Sequence, residues 1–220
     1  MKKHSKNQKA GEFVRKMSLQ RRQKAMAFYG VGLGLLVGVA LIFLVFQASS
    51  IGFLLGLIGG VAAYYFWKKG KYWMRRSEQA LMGAKAEQEV AVILQLLSSK
   101  NWQIEYNLPL KRWGDADVVL CSPRGNWYVI DVKSHKGRII RENHHLKRGK
   151  GRNIYDFSEG DLLEKVRGQA TDVARLKQAK WVIPILCFTQ AKVQVSKNNI
   201  NGVYVVEKTD LIRILEKLED

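Results

Sequence analysis

Three charged side chains interrupt two apolar, strand-like segments near the middle of the chain. Asp117 opens the first segment, and Asp131 and Lys133 lie in the second, beyond a Pro-Arg-Gly-Asn turn. Because side chains alternate across a strand, a hairpin places all three on one side of a sheet. Two carboxylates can ligate Mg²⁺ or Mn²⁺, and a lysine can orient or help deprotonate a metal-bound water, or neutralise charge on a phosphate. The pattern indicates metal-dependent phosphodiester cleavage, although an ion pair on a half-exposed hairpin is the commoner origin of Asp-x-Lys alone.

Two polar residues fall on the core-facing stripes of predicted helices. Glu87 belongs to the apolar stripe of a helix predicted over residues 77–98, and Gln169 to that of a helix predicted over residues 160–178. A polar group that faces a core needs a hydrogen-bond partner. Glu87 and Gln169 are therefore each either a core residue with a hydrogen-bond partner or a further member of the charged site.

The chain from residue 77 onward has the pattern of a mixed α/β domain. Strands are predicted at residues 103–108, 117–121, 127–134, 181–189 and 202–206, and helices at 77–98, 160–178 and 209–218. Pro184 lies inside a strand and predicts an edge position or a bulge, because proline cannot donate to a ladder. We expect one domain over residues 77–220, with a mixed central sheet flanked by helices.

A basic, glycine-containing segment over residues 136–152 is predicted as a loop after the second charged strand. Its Lys136, Arg138, Lys147 and Arg148 suit contact with nucleic-acid phosphates. A merely solvated loop is equally consistent with this composition.

The histidines and cysteines show no metal-ligand spacing. Cys121 and Cys187 lie singly in apolar runs, which argues against zinc and a disulfide framework and favours a reducing compartment. His135, His144 and His145 flank the basic loop, where solvated side chains are commoner than phosphate or metal contacts.

Four short motifs occur in order between residues 83 and 206. They are Gly83-Ala84-Lys85-Ala86-Glu87, Ala116-Asp117-Val118-Val119, Asp131-Val132-Lys133 followed by Gly137, and Gln169-Ala170. Together they resemble the NERD, or nuclease-related, domain of the PD-(D/E)xK restriction-endonuclease-like group. The resemblance implies a restriction-endonuclease-like fold, Mg²⁺ or Mn²⁺ as cofactor, and nucleic acid, DNA in particular, as substrate. It implies these site residues: Glu87, Asp117 and Asp131 as metal ligands, Lys133 as the catalytic lysine, and Gln169 as a supporting polar group.

Three positions depart from the family pattern. Ala86 replaces the second glycine of the opening motif, and Asp131 replaces a glutamate, which shortens the ligand arm. Lys165-Val166 stands where the family usually has Asn-Pro before the glutamine. These departures bear on the geometry of the metal site more than on the fold.

Two uncharged, almost wholly apolar runs occupy residues 27–46 and 51–67. A bilayer core of about 30 Å requires roughly 20 helical residues and at least about 17. The runs therefore predict a two-pass transmembrane hairpin over residues 27–67. A buried hairpin of a soluble protein and a cleaved signal peptide are the alternatives, and the length and number of the runs argue against both.

Basic residues flank the predicted hairpin on both sides. Residues 1–26 form a basic tail and residues 68–76 a basic juxtamembrane linker, whereas the loop between the apolar runs is neutral. By the positive-inside rule, both termini and the α/β domain lie in the cytoplasm, at the cell (inner) membrane. The net charge of +18 favours anionic partners, namely nucleic acid and anionic lipid headgroups.

Glycines recur at every fourth residue in both apolar runs. They are Gly30, Gly34 and Gly38 in the first run and Gly52, Gly56 and Gly60 in the second. Small residues at this spacing let helices approach closely. The pattern favours packing of the two helices against each other, or a homo-oligomer in which they pack against a second copy.

Three classes of function fit these features. The first is a membrane-anchored, metal-dependent nuclease, and the second is a catalytically inactive module that binds nucleic acid or a partner at the membrane. The third is a membrane-organising protein whose basic flanks hold anionic lipid. The core-facing acids argue against the third class, because lipid anchoring does not need them.

Overall fold

The computed structural model of the chain describes residues 10–46 and 49–220. These residues separate into two units, one of Glu12–Met82 and one that contains Gly83–Asp220. The helices are α1 (Ala10–Phe46), α2 (Ser50–Ser98), α3 (Leu162–Lys177) and α4 (Leu211–Lys217). The strands are β1 (Gln103–Leu108), β2 (Ala116–Cys121), β3 (Trp127–Glu142), β4 (His145–Lys150), β5 (Asn153–Tyr155), β6 (Val182–Gln194), β7 (Asn199–Ile200) and β8 (Val203–Glu207).

The two apolar runs lie in α1 and α2, and both helices are longer than the runs alone require. α2 continues without a break through the predicted linker, residues 68–76, and through the helix predicted over residues 77–98. All three prolines of the chain lie beyond residue 108, so no ring removes a backbone N–H from either helix. The start predicted for the domain's first helix was therefore wrong, because that segment is the end of a helix that begins at Ser50.

Small residues at seven-residue spacing line the contact between α1 and α2. They are Ser18, Ala25 and Gly32 on α1 and Gly56, Ala63, Gly70 and Ser77 on α2, and all are buried. A Cβ atom at Gly70 would lie 2.8 Å from the Tyr29 ring, and the Ser18 and Ser77 hydroxyl oxygens are 3.0 Å apart. The close approach of the two backbones therefore depends on the small side chains.

The glycines at four-residue spacing contribute to this contact only in part. A Cβ atom at Gly56 would lie 3.3 Å from the Phe43 ring. Within the described residues, nothing lies within 4 Å of a Cβ atom placed at Gly30, Gly34 or Gly38. Contact with a second copy through these positions stays a prediction.

Both helices are long and apolar enough to cross a bilayer. Their apolar windows reach a mean hydropathy of 2.5 in α1 and 1.5 in α2, and only 6% and 17% of those windows is buried. Large apolar side chains such as Leu33, Leu44 and Val45 are consequently exposed. An outward apolar surface of this kind is consistent with the predicted hairpin.

An eight-stranded mixed sheet forms the centre of the second unit. Its main order is β1-β2-β3-β6-β8-β7, with β4 paired to β3 and β5 paired to β4. β3 pairs with β6 in parallel, and β6 with β8 in parallel, whereas β2 pairs with β1 and β3 in the antiparallel sense. The predicted mixed α/β architecture is confirmed.

Apolar layers cover both faces of the sheet. On one face, Val166 of α3 shares a buried cluster with Val129 of β3. On the other face, Leu94 of α2 shares a cluster with Ile130 of β3 and with residues of α4. The alternation of Val129 and Ile130 between the two layers is the two-residue period of a strand.

The ends of α3 are specified by local chemistry. Asp161 caps the first turn, where its Oδ1 atom accepts hydrogen bonds from the N–H groups of Leu163 at 2.8 Å and Glu164 at 3.2 Å. At the other end, Gln178 adopts the left-handed conformation that commonly terminates a helix. These caps set which residues of α3 face the sheet.

The segment predicted as a loop over residues 136–152 is instead a β-hairpin. It comprises the second half of β3 and all of β4, and we call it the basic hairpin. Gly137 has φ of +104°, and a Cβ atom at this position would collide with the Gly149 carbonyl. Only glycine lets the two strands approach here, which gives a physical reason for the glycine after Asp-x-Lys.

Pro184 predicted an edge position or a bulge, whereas its strand, β6, lies in the interior of the sheet. It lies in β6, between β3 and β8, opposite Val129 of β3. The pairing of β6 with β8 begins only at Ile185, one residue later. The proline is tolerated because it lies where β6 has a partner on one side alone.

Candidate active site

Strands β2 and β3 bring Asp117 and Asp131 side by side. The ladder between the strands ends at the pair Val118 and Ile130, so the two aspartates occupy the next positions. Asp117 Oδ2 accepts a hydrogen bond of 2.6 Å from the Val132 N–H. This bond continues the contact between the strands and fixes Asp117 next to Asp131.

Asp131 lies between two ammonium groups and is 1% exposed. Lys133 Nζ is 2.6 Å from its Oδ2 atom, and Lys165 Nζ is 2.9 Å from its Oδ1 atom. Burial by itself raises the pKa of this carboxyl, but the two ion pairs outweigh burial and lower the pKa of Asp131. Asp131 is therefore an anion at neutral pH.

Glu87 and Asp117 behave in the opposite way. Burial, with the negative charge of Asp131, raises the pKa of Glu87 to about 7. Burial, with the charges of Asp131 and Glu87, raises the pKa of Asp117 to about 8. The Oε2 atom of Glu87 is buried, and no described group donates a hydrogen bond to it. The three carboxyls thus form one electrostatic unit that is short of positive charge.

Lys133 remains a cation within this unit. Only 11% of its side chain is exposed, and burial by itself lowers its pKa. The charge and hydrogen bond of Asp131, together with the charges of Asp117 and Glu159, outweigh burial and raise the pKa of Lys133 above its ordinary value. A protonated Lys133 can neutralise charge on a phosphate or orient a water, but it cannot accept a proton from that water.

Gln169 holds the chain that leads into β2. Its side chain is fully buried, and its Nε2 atom donates to the carbonyl of Asp115 at 3.0 Å and, with weaker geometry, to that of Trp113 at 3.5 Å. The preceding Gly168 lets the Trp113 ring lie directly against α3. The predicted supporting role of Gln169 thus has a concrete form, namely positioning the residues just before Asp117.

A hydrogen-bonded histidine and glutamate lie beside Lys133. His135 Nε2 is 3.1 Å from Glu159 Oε1, and the His135 ring packs on Phe157 with 5.0 Å between ring centroids. The hydrogen bond from His135 lowers the pKa of Glu159 to about 2, and the Glu159 charge also acts on Lys133. His135 therefore belongs to the surroundings of the site rather than to a solvated loop.

The carboxyl oxygens suit a hard divalent cation in type but not yet in arrangement. Mg²⁺ and Mn²⁺ prefer oxygen donors, and the unpartnered Glu87 Oε2 is such a donor. Within residues 10–46 and 49–220, however, no group of three or more His, Cys, Asp and Glu side chains is close enough to hold a metal ion. One oxygen of Asp131 faces Lys165 instead. A metal held by Glu87, Asp117 and Asp131 requires these side chains to draw together.

The residues predicted to contact nucleic acid lie on the basic hairpin. Lys136 and Arg138 are exposed, whereas Lys147 and Arg148 are half-buried. Arg138 donates to a backbone carbonyl at 2.7 Å, and Lys147 lies 2.5 Å from a carboxyl oxygen of Glu142. The two strands of the hairpin contain six lysines and arginines and one acid, so its surface stays strongly positive.

Lys165 and Glu159 were not predicted as site residues. Lys165 had a signal in the sequence, because it precedes Gln169 by four residues and so lies on the same side of α3. In the sequence analysis, Lys165 was named as a departure from the family pattern and not as a site residue. Glu159 lies in the turn before α3, where no periodicity indicates which way a side chain points.

A mixed sheet with helices on both faces, and a buried acid–lysine cluster at the junction of two of its strands, define a restriction-endonuclease-like domain. The chain contains a NERD (nuclease-related) domain, since the model of that family matches residues 82–189. The match begins in α2 and ends in β6, and it contains all the predicted site residues. No curated protein and no solved structure matches the chain.

Proposed function

We propose that the chain is a membrane-anchored nuclease that hydrolyses phosphodiester bonds of nucleic acid, DNA in particular, with Mg²⁺ or Mn²⁺ as cofactor. One observation supports this most strongly: a nuclease-related domain holds three carboxyls in one cluster around a protonated lysine. Burial and the charge of Asp131 raise the pKa of Glu87 and Asp117, whereas Lys133 and Lys165 lower the pKa of Asp131. Such a cluster is costly to fold unless a cation or substrate uses it. Perturbed groups of this kind concentrate at functional sites.

Each residue of the site has its own role in the proposed reaction. A bound Mg²⁺ or Mn²⁺ would polarise the phosphoryl oxygen and acidify a water. Glu87, Asp117 and Asp131 would hold it. Lys133, protonated and adjacent to Asp131, neutralises the charge that develops on the phosphoryl group. Gln169 keeps the backbone before Asp117 in place.

The basic hairpin supplies a surface for the substrate backbone. Because β3 carries both Lys133 and the exposed Lys136 and Arg138, phosphate contacts lie on the same strand as the chemistry. Contacts of this type are independent of sequence and weaken as salt rises. The hairpin thus favours a polyanionic substrate without a preferred sequence.

The first unit supports anchoring at the cell (inner) membrane, with both termini in the cytoplasm. From the last turn of its apolar run onward, α2 presents aromatic and basic residues around a cavity of about 550 Å³: Tyr64, Trp67, Lys68, Lys71, Tyr72, Arg75, Arg76 and Gln79. Lys68 lies over the Tyr64 ring and Arg76 over the Tyr72 ring, at 5.6 and 5.1 Å from the ring centroids. Aromatic and basic residues together suit the headgroup region of an anionic bilayer.

The nuclease proposal is tested on the full chain in detergent micelles. We expect cleavage of plasmid DNA with Mg²⁺ or Mn²⁺ and none with EDTA. Lys133→Met should lower the rate by about 10²-fold or more, because the charge on phosphate loses its counterion, and Asp131→Asn should do the same. Lys177→Met is the matched control, since Lys177 pairs with Glu105 at 2.7 Å outside the site. If the two site variants cut as fast as this control, the assignment of the site is wrong.

A catalytically inactive, membrane-tethered module that binds nucleic acid or a partner is the second candidate. The observation that favours it is the contact between Lys165 and Asp131, which occupies an oxygen that a metal would need. Such a protein would bind DNA with a steep salt dependence and would not cleave it with any divalent cation.

A further inference from the structure

The two lysines on Asp131 differ in how firmly they are held. Lys133 belongs to a central strand, and 11% of its side chain is exposed. Lys165 extends from α3, and 32% of its side chain is exposed. Its ammonium group therefore has a path to solvent that Lys133 lacks. If one lysine leaves Asp131, it is Lys165.

The charges of the cluster give a reason for such an exchange. A divalent cation binds carboxylates in their ionised form, so in a metal-bound state Glu87, Asp117 and Asp131 would carry three negative charges, and Lys133 would offset one of them. The remaining two match a divalent cation. With Lys165 in place only one charge remains, and the ammonium also repels a metal that approaches the Oδ1 atom of Asp131, 2.9 Å away.

Lys165 is separate from the contacts that support the site. Gln169, one helical turn further along α3, donates the hydrogen bond of 3.0 Å to the Asp115 carbonyl that holds the chain before β2. Lys165 instead adds a cation next to Asp131, and a neutral side chain at this position would leave the Gln169 hydrogen bond in place.

We propose that Lys165 is a built-in cation that occupies Asp131 in the resting protein and competes with the divalent metal for it. The inference rests on the proposed metal-dependent function and adds a regulatory element to the same site. Metal binding displaces Lys165 towards solvent, so the site is filled only when the metal concentration is high enough to overcome the ion pair.

The experiment measures Mn²⁺ binding by titration calorimetry to the full chain in detergent micelles. Lys165→Met keeps the aliphatic stem and removes the charge, and we expect it to bind Mn²⁺ about tenfold or more tightly than the natural chain. Lys165→Gln is a second neutral variant, which serves if the first does not fold. Lys177→Met, a lysine of the same helix outside the site, should bind as the natural chain does. Asp131→Asn should lose binding.

The outcomes separate this inference from the proposed function. If the natural chain binds Mn²⁺ and cuts DNA, and the Lys165 variants bind no more tightly, the inference alone is overturned. If only the Lys165 variants bind Mn²⁺, competition is supported and the natural chain is not the proposed metal-dependent nuclease. If no protein binds Mn²⁺, both proposals are wrong.

Discussion

Asp131 gives up its proton, while Asp117 and Glu87 beside it keep theirs near neutral pH. Burial raises the pKa of all three carboxyls, but Asp131 has two ammonium neighbours that outweigh burial, whereas Asp117 and Glu87 have the negative charge of Asp131 beside them. Two aspartates at facing ends of neighbouring strands are thus prepared for different protonation states by their surroundings. A cation that enters the site would lower the pKa of both Asp117 and Glu87.

The raised pKa values predict that the metal-free domain loses stability as pH rises. In the unfolded chain Asp117 and Glu87 release protons near their ordinary values of 3.8 and 4.5, whereas the folded protein holds them to about 8 and 7. Between these limits the folded state binds more protons, so the free energy of unfolding falls with rising pH. We expect a loss of roughly 2–3 kcal/mol from pH 5 to pH 8, since coupled carboxyls do not shift independently.

Urea unfolding of the full chain in micelles with EDTA, followed between pH 5 and pH 8.5, measures this loss. The Asp117→Asn and Glu87→Gln double variant should flatten the profile. Asp156→Asn is the control, because the Asp156 side chain is 83% exposed. A stability that rises steadily over this range in the natural chain would contradict the raised pKa values.

The members of the charged cluster could be predicted because strand and helix periods are regular. Alternation in β2 and β3 places Asp117, Asp131 and Lys133 on one face, and the helical stripe turns Glu87 inward. The contact of Lys165 with Asp131 depends on how far α3 is rotated and on a long side chain reaching across. Neither quantity can be read from residue spacing alone.

Among the elements, α3 and the chain before β2 act as one support. Gly168 and Gln169 are consecutive, and together they receive the Trp113 ring and the backbone carbonyls of Trp113 and Asp115. The glycine provides space, and the glutamine provides hydrogen bonds. Asp117 lies two residues after Asp115, whose carbonyl accepts the hydrogen bond from Gln169. The contacts of α3 therefore help to position the Asp117 side chain.

Gly168→Ala should destabilise the domain by about 1–3 kcal/mol, because the new Cβ atom would overlap the Trp113 ring. Gly83→Ala is the matched control: within the described residues nothing lies within 4 Å of its Cβ position. That substitution should stabilise α2 by about 0.5–1 kcal/mol through the lower backbone entropy of alanine. Chemical denaturation measures both, and equal effects of the two substitutions would show that the Trp113 contact does not matter.

The basic hairpin could not be predicted as strands from composition. Lysine, arginine and glycine are poor strand formers, and the segment has no apolar alternation. Pairing with β6 along one side of β3 stabilises the extended backbone despite these residues. The close approach at Gly137 and Gly149 then allows β4 to add at the other side. In this segment, strand pairing in the tertiary structure outweighs the low strand propensity of the residues.

At the scale of the whole molecule, the two predicted regions are present, but the boundary drawn between them at residue 77 lies within a helix. The change from apolar to charged residues before residue 77 predicted a domain boundary there. α2 instead continues through this position as one helix. The composition of a segment reflects its environment, apolar or aqueous. The backbone can stay helical where that environment changes. The domain itself, its sheet and its helices after residue 100 follow the predicted order closely.

The orientation in the membrane can be tested with single cysteines. Ser49 lies between the two apolar runs and Gln79 lies beyond the second one. Because the flanks are basic and the connection is neutral, Ser49→Cys should react with a membrane-impermeant maleimide added to intact cells, and Gln79→Cys only in inverted vesicles. The natural chain provides the background labelling of its own two cysteines. The reverse pattern would place the nuclease-related domain outside the cytoplasm.

β3 carries the acid, the lysine and the first residues of the basic hairpin on one continuous backbone. Arg138 lies five positions after Lys133, and a strand rises about 3.3 Å per residue, so the two lie at most about 17 Å apart along it. On a duplex that rises about 3.4 Å per base pair, this distance is about five base pairs. In the proposed nuclease, β3 therefore sets the distance between the chemistry and the phosphate contacts, and the nucleic-acid backbone protected by these residues should begin within half a helical turn of the bond that is cut.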